Sequence, residues 1–312
     1  MTELVVTINI MAPLLLMLLL GWGIRRVGWL TAETTSALSR LIFKLFLPVM
    51  LFNNIRSLDA SRAPGLPFAL YLFFGVLSIF LAAQLIVPRF FHNPRKSGVM
   101  VQGIFRTNFA LLGVPLMHAV FGDAGNAAVA LAMPVVIPLN NVLAVLALSG
   151  CAGAHADVKK LLRSIVTNPL IIASALGAVF LFARAPLPGV AENVLKQVGG
   201  LASPLSLLVL GASLRYQGVQ DNRRELTWTV LLKQAVIPVV MVALAVLLGF
   251  RNEELGVVLI LFGAPCAVSS YPMAEAMGGD GPLAATQVVL TTVCSMATLF
   301  ILIYVTKLLA LL

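Results

Sequence analysis

Long apolar segments, separated by short polar connections, follow one another along the whole chain. Ten can be delimited, at 4–23, 35–55, 66–87, 97–121, 125–150, 161–183, 194–214, 226–249, 255–277 and 282–311. Each has about the 20 residues that an α-helix needs to cross the hydrocarbon layer of a bilayer. They are too long and too evenly apolar for the alternating strands of a membrane barrel. The pattern predicts an all-α polytopic membrane protein of ten helices, the first of which is a membrane helix and not a cleaved signal peptide.

The composition agrees with that prediction. Of the 312 residues, 60% are hydrophobic and 11% are charged, whereas soluble domains have about 45–50% and about 25%. Ten helices leave only short connections, so neither a separate soluble domain nor a cytosolic enzyme is expected. The three cysteines and three histidines are dispersed, and no nucleotide-binding or zinc-protease motif occurs. We therefore expect no metal and no cofactor.

The net charge of +9 arises mainly from the loops. Lys and Arg concentrate in the connections after the first, third, fifth and seventh segments, for example at Arg25-Arg26, Arg95-Lys96 and Lys159-Lys160. Because basic loops of membrane proteins lie on the cytoplasmic side, both termini are expected on the outer side. The basic character thus sets orientation in the lipid bilayer and gives no reason to expect a nucleic-acid partner.

Prolines and glycines recur at a nearly constant offset in the two halves, 1–155 and 156–312. The offset is 156 or 157 residues for Pro13 and Pro169, Gly21 and Gly177, Pro48 and Pro204, Pro115 and Pro272, and Gly122-Asp123 and Gly279-Asp280. Each half would hold five helices, an odd number, so the second repeat would be inverted relative to the first. Inverted five-helix repeats are typical of secondary transporters, which alternate between inward-open and outward-open states.

The fourth and ninth segments are both interrupted near the middle, by Gly113 and Pro115 and by Pro265 and Pro272. A proline removes a backbone donor and frees a carbonyl. In a membrane such groups are tolerated only where they are buried in protein or line a wet cavity. Two interrupted helices at matching positions predict a binding site near the midplane, where half-helix N-termini favour an anion. The alternative is that these residues only shape helix packing.

Several short motifs lie in order along most of the chain. They are Gly28-Trp-Leu-Thr31, Leu38-Ser-Arg-Leu-Ile42, Phe46–Phe52, Asn108, Gly113–Leu116, Phe121–Asp123, Asn168-Pro169 and Ala264–Val268. Together they resemble the auxin efflux carrier family, which includes the plant PIN-FORMED proteins and bacterial malonate and malate carriers. The resemblance implies a fold like that of sodium/proton antiporters and bile-acid symporters, with helices four and nine crossed. It also implies elevator-type alternating access and a homodimer. The connection between helices five and six is short, which favours a bacterial type in the inner membrane.

Two polar residues of the fourth segment are candidates for substrate binding. Arg106 lies about midway along it, where an arginine costs at least about 2.5–3.5 kcal/mol on insertion scales. It is the candidate counter-charge for a substrate carboxylate, unless it forms a structural pair with an acidic neighbour. Acidic candidates near the middle of the membrane are few, because Glu275 lies nearer a helix end. Asn108 is expected either to bind substrate or to join two helices by a hydrogen bond.

Other polar residues near the interruptions extend this candidate set. Asn53 and Asn54 close the second segment, as a gate or as a cap. Ser269 and Ser270 either contact substrate or satisfy the backbone freed by Pro272. By the family resemblance alone, Asn168 corresponds to a substrate-facing position.

Four titratable residues have less defined roles. His118 and Glu275 each lie three residues after one of the paired prolines, and they either couple transport to protons or are ordinary interfacial residues. Lys44 and Lys233 are expected to reach the interface or to form ion pairs. Coupling to protons, to sodium or to neither stays open.

The sequence thus predicts a secondary transporter of small organic anions, such as malonate- or malate-like carboxylates or auxin-like acids, and not an enzyme. One alternative is a cation/proton antiporter of the same fold, which would need an Asp or Glu at the crossing. Another is an integral membrane enzyme acting on lipid, which would need clustered acidic or histidine residues at one interface.

Overall fold

The computed structural model describes residues 2–57, 65–149, 166–184, 186–214 and 216–312. Within these ranges the chain is helical and contains no strand. The helices are α1 (Thr2–Val27), α2 (Ala32–Arg56), α3 (Leu66–Phe90), α4 (Pro94–Phe105), α5 (Phe109–Ser149), α6 (Pro169–Ala183), α7 (Gly189–Ser213), α8 (Tyr216–Asp221), α9 (Arg223–Leu247), α10 (Asn252–Gly263), α11 (Ser270–Ala276) and α12 (Gly281–Leu308). The predicted boundary between the halves, at 155 and 156, and the pair Lys159-Lys160 lie outside the described residues.

Six of the described helices are long and apolar enough to cross a membrane, namely α2, α3, α5, α7, α9 and α12. The all-α polytopic class is therefore confirmed, while the total of ten spans stays a prediction. α1 has 26 residues, and α6 is a shorter apolar helix of 15 residues.

A glycine divides one long helix and an aspartate begins another, at positions where the sequence predicts connections. In α5, Gly122 has φ 63° and ψ −140°, so that 109–121 and 123–149 are two helical segments. Only glycine adopts such a conformation without steric cost. Asp280 begins α12 as its N-cap, and its side chain accepts a hydrogen bond from the Leu283 amide at 2.9 Å. Asp280 therefore caps the start of α12.

α2 and α9 each contain one π-helical turn, at Ile42–Phe46 and Leu232–Val236. Each turn lies just before a proline, Pro48 or Pro238, which cannot donate to the carbonyl four residues earlier. In α9 that carbonyl belongs to Gln234, and it accepts a hydrogen bond from Thr298 Oγ1 of α12 at 2.8 Å. Widening the helix relieves the clash with the proline ring and leaves the freed carbonyl to a neighbouring helix.

The two π turns place their lysines in different surroundings. Lys44 is exposed, as expected of a side chain that reaches the interface. Lys233 is 1% exposed, and no ion pair joins it to any described residue. The prediction that Lys233 reaches the interface or pairs with an acid is therefore wrong, because the π turn lies against the protein interior.

Close helix packing around the interior depends on glycines. α1 lies against α7, where Gly21 faces the carbonyl of Leu208 and Gly211 faces the carbonyl of Leu18. A Cβ atom at Gly21 would lie 2.1 Å from the Leu208 oxygen, and one at Gly211 would lie 2.0 Å from the Leu18 oxygen. Small residues allow such backbone contact between membrane helices.

Two segments that are not helical interrupt the interior and contact each other. One joins α4 to α5 at 106–108, and the other joins α10 to α11 at 264–269. The amide of Asn108 donates a hydrogen bond to the carbonyl of Pro265 at 2.9 Å. Proximity of the two interruptions was expected from the sequence, and the hydrogen bond connects them directly.

The positions of the interruptions differ in part from the prediction. Pro265 lies in the second interruption, but Gly113 and Pro115 lie inside α5, after the first one, and Pro272 lies inside α11. The chain leaves the helix at Arg106, which has φ −72° and ψ 134°. Helix α5 then restarts before Pro115, since a helix can continue past a proline at the cost of one hydrogen bond.

Candidate functional site

A cavity of about 570 Å³ lies beside the contact between the two interruptions. Both interruptions contribute to its wall, together with α2, α5 and α7. Its polar lining includes Asn53, Asn54, Arg106, Thr107, Asn108, Asn140, Asn141 and Ser269, and its apolar lining includes Leu47, Met50, Phe109, Met133 and Ile137. The volume lies within the range of about 300–1,000 Å³ that is usual for small-molecule sites. The cavity is therefore large enough for a small organic molecule.

Arg106 is the charged group of this wall that is buried, with 5% of its surface exposed. Its position follows from the end of α4, where the extended backbone directs the chain between α5 and α11. Nη2 donates to Asn141 Oδ1 at 3.0 Å, and Nη1 approaches Ser270 Oγ at 3.4 Å and Met273 Sδ at 2.7 Å. The guanidinium is thus oriented from both sides by neutral groups.

None of the described carboxylates forms an ion pair with Arg106. In particular, Glu275 instead accepts a hydrogen bond from Ser36 Oγ at 3.3 Å. The alternative that Arg106 forms a structural pair with an acidic neighbour therefore finds no partner among the described residues. A buried cation without a counter-charge is costly, and an incoming carboxylate on the cavity side would supply that charge in a bidentate geometry.

Asn140 and Asn141 were not among the residues expected from the sequence. They lie in the second part of α5, are 6% and 5% exposed, and each donates to a backbone carbonyl one turn earlier, at Val136 and Ile137. Asn141 also orients Arg106. Two consecutive asparagines inside the apolar segment 125–150 were the available signal, because buried amides in a membrane helix are uncommon without a partner.

Several oxygen atoms near the cavity have no hydrogen-bond partner in the described part of the chain. They are Asn53 Oδ1, Thr107 Oγ1 and Asn140 Oδ1. A buried polar atom left unpaired costs about 1–3 kcal/mol. Each of these residues also lines the cavity. The wall therefore combines one cation with several hydrogen-bonding groups.

Asn53 and Asn108 both join elements of the wall. The Asn53 amide donates to the carbonyl of Leu195 at 2.7 Å and so ties α2 to α7. The backbone of Asn108 bonds to Pro265, and its carbonyl accepts from Leu111 and Leu112 at the start of α5. Phe109, the first residue of α5, also lines the cavity. The positive end of this helix is thus directed toward the cavity, where it favours an anion.

The two serines of the second interruption have separate positions. Ser269 lines the cavity, whereas Ser270 is fully buried behind it, between Arg106 and Cys266. The carbonyl of Val268, which Pro272 leaves free, accepts from the Tyr271 amide at 3.4 Å. A backbone amide, and not a serine hydroxyl, therefore donates the hydrogen bond to this carbonyl.

Three other candidates are not among the described residues that line the cavity. Asn168 begins α6 as its N-cap, accepting from the Leu170 amide at 2.9 Å. His118 is exposed and contacts Asn126 at 3.0 Å. Glu275 is half-buried beside Ser36. The structure therefore places these three side chains in capping or peripheral contacts and does not bring them to Arg106.

One end of the cavity reaches the surface beside a cluster of charged residues. Lys196 lines the cavity with 61% of its side chain exposed, and it pairs with Glu192 at 3.0 Å. Arg56 approaches the same carboxylate at 3.4 Å. Two cations around one carboxylate leave this rim with a local excess of positive charge, which attracts anions. In the described residues there is no group of three or more His, Cys, Asp or Glu that could hold a metal ion.

Comparison with known proteins agrees with this architecture. A family model described as "Membrane transport protein" matches residues 6–149 and 154–303. The chain is also 23% identical, over 291 residues, to an uncharacterized transporter of Methanothermobacter thermautotrophicus, covering 91% of this chain and 93% of the relative. The family match spans nearly the whole sequence and confirms the resemblance drawn from the motifs. The chain belongs to the membrane transport protein family of auxin efflux carrier type.

Proposed function

We propose that this membrane transporter is a secondary carrier of small organic anions, with Arg106 as the group that binds the substrate carboxylate. The observation that carries the proposal is the burial of Arg106 on a cavity wall without a counter-charge among the described residues. A carboxylate in the cavity would offset the desolvation of the guanidinium and would also lie near the N-terminal end of α5.

The lining of the cavity supports carboxylates that have both polar and apolar parts. Asn53, Asn108 and Asn140 offer hydrogen bonds to hydroxyl or second carboxylate groups, as in malate or malonate. Met50 and Met133 offer an adaptable apolar surface, as an auxin-like aromatic acid would need. Malonate is the first substrate to test, because it is the smallest member of this set with two carboxylates.

The spacing of the helices supports two inverted repeats and alternating access. α2 and α7 begin and end 157 residues apart, and so do α3 and α9. This offset equals the offset between Pro115 and Pro272. We propose that the crossing segments move with the bound anion relative to α2 and α7, in an elevator-type cycle. A homodimer in the bacterial inner membrane, with both termini on the outer side, completes the proposal.

The two alternative functions have less support. A cation/proton antiporter needs a carboxylate at the crossing, and no Asp or Glu is buried in the described part of the chain. A lipid-modifying enzyme needs clustered catalytic residues, and the described residues hold no group of three His, Cys, Asp or Glu.

Counterflow in proteoliposomes tests the proposal. Vesicles loaded with unlabelled malonate are diluted into labelled malonate, and exchange is compared between the wild type, Arg106→Gln and the matched control Arg184→Gln, whose arginine is exposed at the end of α6. We expect exchange by the wild type and the control, and at least a roughly 30-fold loss in Arg106→Gln, since a charge-assisted pair contributes about 2 kcal/mol or more. Unchanged exchange by a properly inserted Arg106→Gln protein would refute the role of Arg106.

A panel of vesicles separates the other outcomes. Exchange of malate or of an aromatic carboxylate, without exchange of malonate, would assign a different anion to the same site. Sodium or potassium exchange driven by a pH gradient, without anion flux, would favour the antiporter.

A further inference from the structure

A second cleft lies at the end of the molecule where α3 ends and where α4 and α9 begin. It encloses about 280 Å³, and its wall consists of residues 90–93 and Lys96 on one side and of Arg224 and Glu225 on the other. None of these residues lines the cavity at Arg106. The volume equals that of roughly nine water molecules at about 30 Å³ each, which is enough for a phosphate group with part of a glycerol.

Contacts between α4 and the start of α9 hold the two sides of this cleft together. Lys96 Nζ forms an ion pair with Glu225 Oε1 at 3.0 Å, and it also donates to the carbonyl of Asp221 at 3.4 Å. The two paired side chains are partly buried, with 22% and 15% of their surface exposed. The cleft is therefore built by packed helices and does not depend on a loop alone.

Arg224 supplies the cleft with a cation that no carboxylate pairs with in the described part of the chain. Its guanidinium carbon lies 5.0 Å from the centre of the Phe91 ring, and this cation–π contact positions the group at the cleft. The adjacent carboxylate, that of Glu225, is occupied by Lys96. The donors of Arg224 are therefore available to a ligand in the cleft.

The segments around the cleft carry an excess of positive charge. Residues 89–96 and 221–225 contain five Lys and Arg side chains against two carboxylates, and one of these carboxylates already pairs with Lys96. Basic pockets between membrane helices bind anionic head groups. A guanidinium suits phosphate in particular, because it can donate two parallel hydrogen bonds to it. The chemistry of the cleft therefore fits an anionic phosphate group.

All three tryptophans of the chain are exposed and lie beside basic residues. Trp22 and Trp29 flank Arg25-Arg26, and Trp228 lies one turn after Arg224 on α9. Tryptophan is enriched where the hydrocarbon layer of a bilayer meets the head groups. The position of Trp228 therefore puts the cleft at the depth of the head groups, on the side that the sequence predicts to be cytoplasmic.

Two rows of exposed apolar side chains lead away from the cleft along α3 and α9. On α9, Trp228 and Leu231 follow Arg224 at helical spacing, which places all three on one face. On α3, Ile86 lies one turn before Phe90, and both side chains are exposed. A ligand whose phosphate occupies the cleft thus has two apolar surfaces along which acyl chains can lie.

We propose that this cleft binds the head group of an anionic glycerophospholipid, with its phosphate at Arg224 and its acyl chains along α3 and α9. The site is separate from the cavity at Arg106, and it does not depend on which substrate the transporter carries. A soluble phosphate compound would share the contact with Arg224 but would leave both apolar rows without a ligand. The rows therefore favour a lipid.

Quenching of Trp228 fluorescence by brominated lipids tests the proposal. In a protein with Trp22→Phe and Trp29→Phe, Trp228 is the remaining tryptophan, and it lies about 6 Å along α9 from Arg224. This protein is reconstituted in mixtures of phosphatidylglycerol and phosphatidylcholine, in which one lipid or the other carries bromine on its acyl chains. We expect an apparent affinity for phosphatidylglycerol at least about fivefold above that for phosphatidylcholine, the contribution of one basic side chain near an anionic lipid.

Two variants of neighbouring arginines, made in the same Trp228 protein, distinguish the cleft from diffuse surface charge. Arg224→Gln should lower the preference for phosphatidylglycerol below about twofold, because it removes the cation that contacts the phosphate. Arg223→Gln is the matched control, since Arg223 is an exposed arginine of the same turn that does not line the cleft, and it should keep the preference. Equal quenching by the two lipids before substitution of either arginine, or an equal loss of preference in both variants, would overturn the proposal.

Competition by inorganic phosphate distinguishes a lipid from a soluble ligand of the same chemistry. Added in excess at constant ionic strength, inorganic phosphate should leave the quenching by brominated phosphatidylglycerol unchanged. Loss of that quenching would assign the cleft to a soluble phosphate and would overturn the lipid proposal. Fluorescence quenching needs no substrate, so a failure of malonate exchange and a failure of lipid selectivity are measured separately.

Discussion

Replacing Asn141 by Asp would place a carboxylate where Arg106 now contacts a neutral amide. Asn141 Oδ1 accepts from Arg106 Nη2 at 3.0 Å, so the new carboxylate needs no rearrangement to form an ion pair. Two unit charges about 4 Å apart attract each other by about 4 kcal/mol at an effective dielectric constant of 20. The neutral contact that they replace contributes about 1.5–3 kcal/mol, as hydrogen bonds to charged groups do.

The ion pair is thus stronger than the neutral contact by about 2 kcal/mol, and this difference opposes substrate binding. An anion entering the cavity would have to compete with the internal carboxylate for the same guanidinium, and it would also be repelled by it. We therefore expect Asn141→Asp to weaken malonate binding by at least roughly 30-fold, since about 1.4 kcal/mol corresponds to a factor of ten. The same substitution should raise the midpoint of thermal unfolding, because the buried cation gains a counter-charge.

The assay measures KM for malonate counterflow together with thermal unfolding in detergent. Asn141→Ala serves as the control, because it removes the same contact without adding charge and should change KM by only a few-fold. Transport by Asn141→Asp with a KM within threefold of the wild type would refute Arg106 as the anion-binding group. A decrease in both transport and thermal stability would show instead that the substitution damages the fold.

Two further predictions concern packing and capping. Gly21→Ala should destabilise the protein by about 1–3 kcal/mol, because a Cβ atom 2.1 Å from the Leu208 carbonyl oxygen forces α1 away from α7. Gly23→Ala is the control, since Gly23 faces open space and its replacement should not destabilise the protein. Equal midpoints of thermal unfolding for the two variants would contradict this packing. Asn168→Ala should lower the free energy of unfolding by about 1 kcal/mol, because α6 loses its N-cap, and it should leave the KM for malonate unchanged. A tenfold rise in KM with unchanged stability would instead show that Asn168 contacts the substrate.

The helices and the interruption beyond α10 were predictable because their signals are local. Apolar length defines a membrane helix regardless of its neighbours, and Gly122 and Asp280 mark turns by their own backbone preferences. The first interruption was placed too far along the chain. Gly113 and Pro115 are compatible with a helix, while the extended backbone at Arg106 is stabilised by a bond between Asn108 and Pro265, a contact across the fold.

The partners of the buried charges were not predictable in the same way. Arg106 can be identified as a candidate from the sequence, because inserting an arginine into the membrane costs free energy whichever way its side chain points. Its contacts come from α5 and α11, which lie 35 and 167 residues further along the chain at Asn141 and Met273. The burial of Lys233 depends on the π turn before Pro238 and on which side of α9 faces α12, and neither follows from the spacing of residues within α9.

The distribution of buried charge relates the fold to the function. A membrane protein that needed Arg106 only for stability would gain from a nearby carboxylate, since an unpaired buried cation is destabilising. In the described residues every buried ionic side chain is a cation, and one of them, Arg106, borders a cavity whose lining residues include buried oxygens without a hydrogen-bond partner. The cavity is large enough for an anion to enter from solution. A bound anion would supply the negative charge that Arg106 lacks among the residues of the chain itself.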